Sequence, residues 1–394
     1  MRILLQMALI LLAVVMASTA DAQSVTRSTF QQLERVQALM SEENYAEAQR
    51  LLEEHVVKIE RNAYDFALTN QYLAHVSILL GDSARARSAL EAALAKEDIP
   101  EDLRLDMSLF YGTVLMNEEE YELARQAMET WFAAAPLPQP HQIFSLAYAN
   151  YMSGNIPRAE ELVDRAIGDS PEPQESWYQL HYRTLFEQHK YEPAKEVLLG
   201  LVNREPSKPL YWRMLAGHNL HLEESQEGLA ALMIAYVNDM LESEAELSQI
   251  VALWGFIDAP EKGARMLEQF IEEGHAESDA ETLKQLGNLW LMARERDNAL
   301  VALTEAAQMA PDGKTFEMLG GIYFEEEEWQ AAYNAYQSAM RQGDLEEPER
   351  VALLAGISAY RAGDNTGARE ALEIAAEDDE LRPQAESILR DLDD

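Results

Sequence analysis

The residues whose types and spacing could do chemistry are few. His218 and His221 stand three apart on one predicted helix, where two imidazoles can share a metal. No third ligand lies near them, so ordinary polar helix positions account for them better. The run Glu325-Glu326-Glu327-Glu328 is rich in oxygen ligands. A calcium loop alternates its ligands and turns on a glycine, and this run does neither, so it reads as a solvated turn. No glycine-rich phosphate loop, G-x-S-x-G or H-E-x-x-H occurs. The chain has no cysteine, which removes thiolate metal sites, a cysteine nucleophile, disulfides and a lipid-modified N-terminal cysteine. The sequence is expected to bind rather than to catalyse, with no cofactor and no metal.

Whatever it binds must be positioned by helices, and Glu281–Pro311 shows how. Leu283, Leu286, Gly287 and Trp290 share one face of a first helix, and Ala299, Leu303 and Ala306 share one face of a second. Pro311 stops the second helix, because it lacks the N–H that a helix interior needs. The small residues let the two helices approach, and the large ones fill the gap. With Ala299 as marker, an equivalent small residue recurs at Ala48, Ala86, Ala124, Ala159 and Ala194. It continues at Gly228, Gly263, Ala332 and Ala368, with steps of 33 to 38 residues. Four positions after each marker stands a large residue, from Leu52 and Leu90 through Met128 to Tyr336 and Leu372. The period predicts ten helical hairpins starting near 29, 67, 105, 140, 175, 209, 244, 280, 313 and 349, with a capping helix at 382–392. No stretch reads as a strand, so the expected class is all-α. Three hairpins depart from the pattern: the first, with Val36 at a small position; the fifth, with His181 and Tyr182; and the seventh, with Asp258-Ala259-Pro260 in its turn. The connection Pro136-Leu137-Pro138-Gln139-Pro140 is where a bend is expected.

Arg2 precedes an apolar run from Ile3 to Ala17, and Ala20-Asp21-Ala22 offers small residues for cleavage. Residues 1–22 therefore read as a signal peptide, too short in its apolar part to span a bilayer. Residues 23–394 are expected to be a single solenoid, exported to the periplasm, with no lipid anchor and no integral membrane segment after cleavage. With 31 basic against 70 acidic residues, the net charge is −39. Such a surface disfavours nucleic acid and anionic headgroups and favours basic segments of a partner. It also keeps a large protein soluble, whatever its partner.

The hairpin resembles the tetratricopeptide repeat at each signature position of Glu281–Pro311. The resemblance implies a right-handed α-solenoid whose first helices line a concave side, with contacts at the second, fifth, ninth and twelfth residue of each repeat. Carried onto this sequence, these positions give Gln71 and His75 in the second repeat, and His141, Phe144, Tyr148 and Tyr151 in the fourth. The fifth contributes Gln179, Arg183 and Phe186, the sixth Arg213, the eighth Lys284 and Asn288, and the tenth Arg350 and Tyr360. Arg183, Arg213 and Lys284 would form a positive stripe beside an aromatic one. Aromatic anchors flanked by arginines suit peptide recognition. The competing expectation is that the aromatics pack between repeats and the cations pair with neighbouring carboxylates. Lys284 and Asn288 also match two positions of the family's carboxylate clamp; Lys314 fits another, whereas Met318 does not.

The irregular segments resemble one group within that family, the exported tetratricopeptide proteins encoded beside TonB–ExbB–ExbD clusters of Gram-negative bacteria. The matching pieces are Phe30-Gln31-Gln32-Leu33-Glu34, Ile99-Pro100-Glu101, Ser176-Trp177-Tyr178, Tyr211-Trp212 and Phe270-Ile271-Glu272-Glu273-Gly274. This resemblance implies an accessory of TonB-dependent uptake, with TonB, ExbB or ExbD as partners. TonB proteins carry a lysine- and proline-rich periplasmic linker, to which an acidic solenoid is electrostatically suited. Assembly of an outer-membrane or pilus complex, and a periplasmic chaperone holding extended peptides, are the alternatives.

Overall fold

The computed structural model describes residues 25–241 and 243–393. The expected signal peptide lies outside the described residues. Among these, every regular element is a helix, and the fold is an all-α repeat solenoid. The described residues divide into two compact units, with the division between Leu198 and Leu199. The first holds the hairpins α1 (Arg27–Ser41) with α2 (Tyr45–Ile59), α3 (Ala63–Leu79) with α4 (Ser83–Leu94), and α5 (Glu101–Asn117) with α6 (Tyr121–Ala134). It continues with α7 (Pro140–Met152) and α8 (Ile156–Asp169), then α9 (Glu175–Glu187) and the start of α10 (Tyr191–Arg204). The second unit holds the rest of α10, then α11 (Pro209–His221) with α12 (Ser225–Val237) and α13 (Glu244–Phe256) with α14 (Pro260–Glu273). After these come α15 (Ala280–Met292) with α16 (Arg296–Met309), α17 (Gly313–Glu325) with α18 (Trp329–Gln342), α19 (Pro348–Ala362) with α20 (Asn365–Ala375), and a last helix α21 (Arg382–Asp391).

Each hairpin closes on the same contact. Ala48, Ala86, Ala124, Ala159, Ala194, Ala299, Ala332 and Ala368 are fully buried in the second helices, and Gly228 and Gly263 are buried at the equivalent places. Opposite them, in seven of the ten hairpins, the first helix also brings a small residue; Val36, Tyr182 and Val251 stand there in the first, fifth and seventh. A Cβ on Gly287 would stand 2.5 Å from Leu303 Cγ, and one on Gly112 would stand 2.5 Å from Met128 Cγ. The same step of sixteen residues pairs Ala74 with Leu90, Ala147 with Val163 and Ala216 with Leu232. All of these residues are buried. The large residue of the second helix therefore fills the space that the small residue of the first leaves open. Gly287→Val is expected to lower stability by roughly 2 kcal/mol through overpacking, measured by urea denaturation. Gly287→Ala should cost far less, since alanine already occupies that place in three other hairpins.

The turn inside each hairpin needs one residue in the left-handed region. Glycine supplies it at Gly81, Gly154 and Gly363, but acidic residues do so at Glu43, Glu119, Glu223, Asp258 and Glu327. A non-glycine residue there strains the backbone against its own Cβ. Two second helices, α4 and α20, start on a side-chain cap: Asp82 accepts from Arg85 N at 2.9 Å, and Asp364 from Gly367 N at 3.0 Å. Such caps contribute about 1 kcal/mol each. Glu119→Gly, at a solvent-facing turn with φ of 61°, should raise stability by about 0.5–1 kcal/mol, the relief of strain exceeding the entropy lost by glycine. A shift of the urea midpoint checks it.

The first hairpin, irregular in sequence, is held by polar bonds in addition to its buried Val36, Ala48 and Leu52. Asp65 is completely buried; it accepts from Thr26 N at 3.1 Å and from the Thr29 hydroxyl at 2.8 Å. The His55 Nε2 lies 2.9 Å from the same hydroxyl, so α1, α2 and α3 meet at one satisfied carboxylate. No described helix is long and apolar enough to cross a membrane.

Candidate functional site

In the first unit, the first helices of successive hairpins stand side by side, and the residues they use for packing define what stays open. On α5, Gly112 faces the second helix α6. Phe110 leans toward α3, where its ring stacks on His75 at 4.2 Å and 17°. Leu109 and Met116 lean the other way, onto the cluster that contains Ile143 and Leu146 of α7. Helical spacing leaves Asp106 and Thr113 in the centre of the remaining stripe. One repeat later the equivalent residues are His141 and Tyr148, and one later still Ser176 and Arg183. This open stripe of three helices is the candidate site.

The sequence-derived residues distribute unevenly over it. Gln71 is only 4 % exposed, because α3 is buried continuously from Asp65 to Ala74. It belongs to the interior rather than to a surface. His75 is fixed by its stack on Phe110, and burial holds its pKa down to about 4. Burial also lowers the pKa of His141. Phe144 stacks between Tyr148 (6.5 Å) and Trp177 (5.3 Å), tying α7 to α9. Tyr151 donates to Glu187 Oε1 at 2.6 Å. Burial and that carboxylate raise its pKa, against the opposing effect of Arg183 beside it. Gln179 donates to Glu175 at 3.2 Å, and Phe186 packs against Tyr182 (5.7 Å) and Tyr191 (5.3 Å). Thus Arg183 is exposed, while Phe144, Tyr148 and Phe186 are half-buried against their neighbours.

Arg213 and Lys284 belong to the second unit. Arg213 pairs with Glu246 in an open hollow of about 670 Å³ lined also by Ser207, Asn238, Asp239 and Ser243. Lys284 pairs with Glu281 at 2.8 Å and lies 4.0 Å from Asp312. Lys314 reaches Glu346 at 3.1 Å, and Arg350 reaches Glu347 at 2.9 Å. Asn288 and Tyr360 are exposed. Each of these cations therefore carries its own carboxylate, and the local charge is neutral where the sequence suggested a positive stripe. His218 is buried and His221 exposed. Among the described residues no group of three His, Cys, Asp or Glu side chains could hold a metal. Of the four glutamates, Glu325 pairs with Arg296 at 2.5 Å and Glu328 precedes α18.

Residues 80–137 match the family model described as Tetratricopeptide repeat; the match covers the third hairpin and the helix before it. No curated protein matches the sequence. Among solved structures, MamA from Desulfovibrio magneticus RS-1 aligns at 20 % identity over 47 % of this chain and 98 % of its own, with a TM-score of 0.39. The C-terminal part of a TPR repeat-containing protein from Cytophaga hutchinsonii aligns at 15 % identity over 71 % and 95 %, with a TM-score of 0.41. Naa15/Naa10 bound to HypK-THB aligns at 12 % identity over 91 % and 65 %, with a TM-score of 0.42.

The buried histidine sets a pH dependence. The folded pKa of His75 lies near 4 against an ordinary 6.5, so between these values the unfolded chain binds the extra proton. Its contribution is intact above pH 6.5 and is lost as pH falls toward 4, by an amount on the order of 2–3 kcal/mol. His75→Phe keeps an aromatic stack and removes the proton. The stability of wild type relative to His75→Phe should therefore decline from pH 7 to 4, followed by urea denaturation across that range.

Proposed function

We propose that this chain is a non-catalytic scaffold that binds other proteins through the open faces of its first helices. We propose further that it works in the periplasm as an accessory of a TonB-dependent uptake system. The observation that carries the binding role is the stripe on α5, α7 and α9. It presents Asp106 and Arg183 exposed, and Thr113, His141 and Tyr148 half-buried, along one face of the three first helices. Tyrosine and arginine are the side chains that contribute most when a partner covers them. The excess of 70 acidic over 31 basic residues supports a basic partner, because opposite charge speeds encounter. A lysine-rich periplasmic linker of the kind TonB proteins carry has that chemistry, and the resemblance of the irregular segments points the same way.

The test is titration of residues 23–394 with the periplasmic part of TonB from the same organism, at low and at moderate salt. Saturable binding that weakens as salt rises is expected. Arg183→Glu should weaken it further if acidic groups of the partner reach α9. Absence of binding at about 100 μM would remove direct TonB contact and favour an assembly or chaperone role.

A further inference from the structure

The open stripe of the first unit is polar in one direction. On α3, α5, α7 and α9 the lysines and arginines are Arg104 and Arg183 alone. Arg104 is spent on the backbone carbonyls of Leu94 and Lys96, at 3.1 and 2.8 Å. That leaves Arg183, exposed and beside the Tyr151 hydroxyl, as the cation of this face. At the other end stand Asp102 and Asp106, both exposed. Neither has an ion-pair partner among the described residues; burial of its carboxylate, and secondly the neighbouring Asp102, raise the pKa of Asp106. A cation brought by a ligand would relieve that like-charge pair. Between the two ends lie the half-buried His141 and Tyr148, the Tyr148 ring stacked beside Phe144.

Resting on the reading that this face binds proteins, we propose that it selects an extended segment of mixed charge. A basic side chain sits at Asp102 and Asp106, an apolar or aromatic one on Tyr148, and a carboxylate at Arg183. The spacing follows from the helices. Two steps between neighbouring helices span about 20 Å, and the seven-residue offset between the level of Asp106 and that of Arg183 adds about 10 Å along the axes. The diagonal is then about 22 Å, which an extended chain covers in six or seven residues. A segment that carries only lysines satisfies one end and meets repulsion at the other, so charge spacing becomes the basis of choice among partners.

The test uses synthetic peptides of Ser and Gly around a central Trp, labelled for fluorescence anisotropy. In one, Lys and Glu flank the Trp about six residues apart; in the other, with the same composition, they are adjacent. The spaced peptide is expected to bind about fivefold more tightly, a difference of the size one charge contact gives. Asp106→Lys and Arg183→Glu should each erase the difference, and both sites are exposed, so the fold should survive them. A C-terminally amidated peptide that ends on Ala after the Trp, against its free-acid form, distinguishes a terminal carboxylate from a side chain as the group at Arg183. Equal binding of the two spacings, no binding of either, or a preference that survives both substitutions would overturn the inference. If TonB saturates the protein while both peptides fail, the scaffold reading stands and the charge-spacing inference falls. If the spaced peptide wins while TonB does not bind, the charge-spacing inference stands and direct TonB contact falls.

Discussion

The close approach of two helices inside each hairpin is the constraint on which the rest depends. A small residue on the first helix faces a large one sixteen residues later, and a second small residue lies against the first helix's backbone. Gly263 shows the limit: a Cβ there would lie 3.0 Å from the Val251 carbonyl oxygen. With hairpin closure assigned to one stripe of each helix and stacking to the flanking stripes, only one stripe of each first helix remains. The binding face is what the packing leaves over.

The same constraint shapes the charge. Tight hairpins need a left-handed turn residue, which glutamate supplies at Glu43, Glu119, Glu223 and Glu327 at some strain, and Asp82 and Asp364 cap the helices that follow two of the glycine turns. The scarce cations are then drawn to nearby carboxylates, often from a neighbouring hairpin, as Arg87 is to Glu118 at 3.1 Å and Arg158 to Glu129 at 3.2 Å. These pairs are part-buried and bridge neighbouring hairpins. They leave Arg183 distinctive on its face.

The hairpin register was legible in the sequence because it rests on residue size at fixed spacing. The predicted starts at 140, 175, 209, 244, 280 and 313 coincide with the helix starts, and the earlier ones differ by two to four residues. What holds the first hairpin was not legible: Val36 looked like a defect, and the Asp65 knot joins residues far apart in sequence by bonds that follow no period. Gln71 stands at a contact position by register, yet α3 is buried on all sides there, which only the packing of its neighbours reveals. Asp106 and Phe110 were passed over in the third repeat. The signal was present, since Asp106 lies one repeat before His141. Cation pairing depends on side-chain reach, and neither composition nor period reports that.

The most direct test of the account is hydrogen–deuterium exchange of residues 23–394 with and without the periplasmic segment of TonB at saturation, read peptide by peptide. The account requires protection concentrated in α5, α7 and α9, with α6 and α8 unchanged. Protection confined to the second helices or to the turns would contradict it, because binding would then use a surface other than the one the packing leaves open.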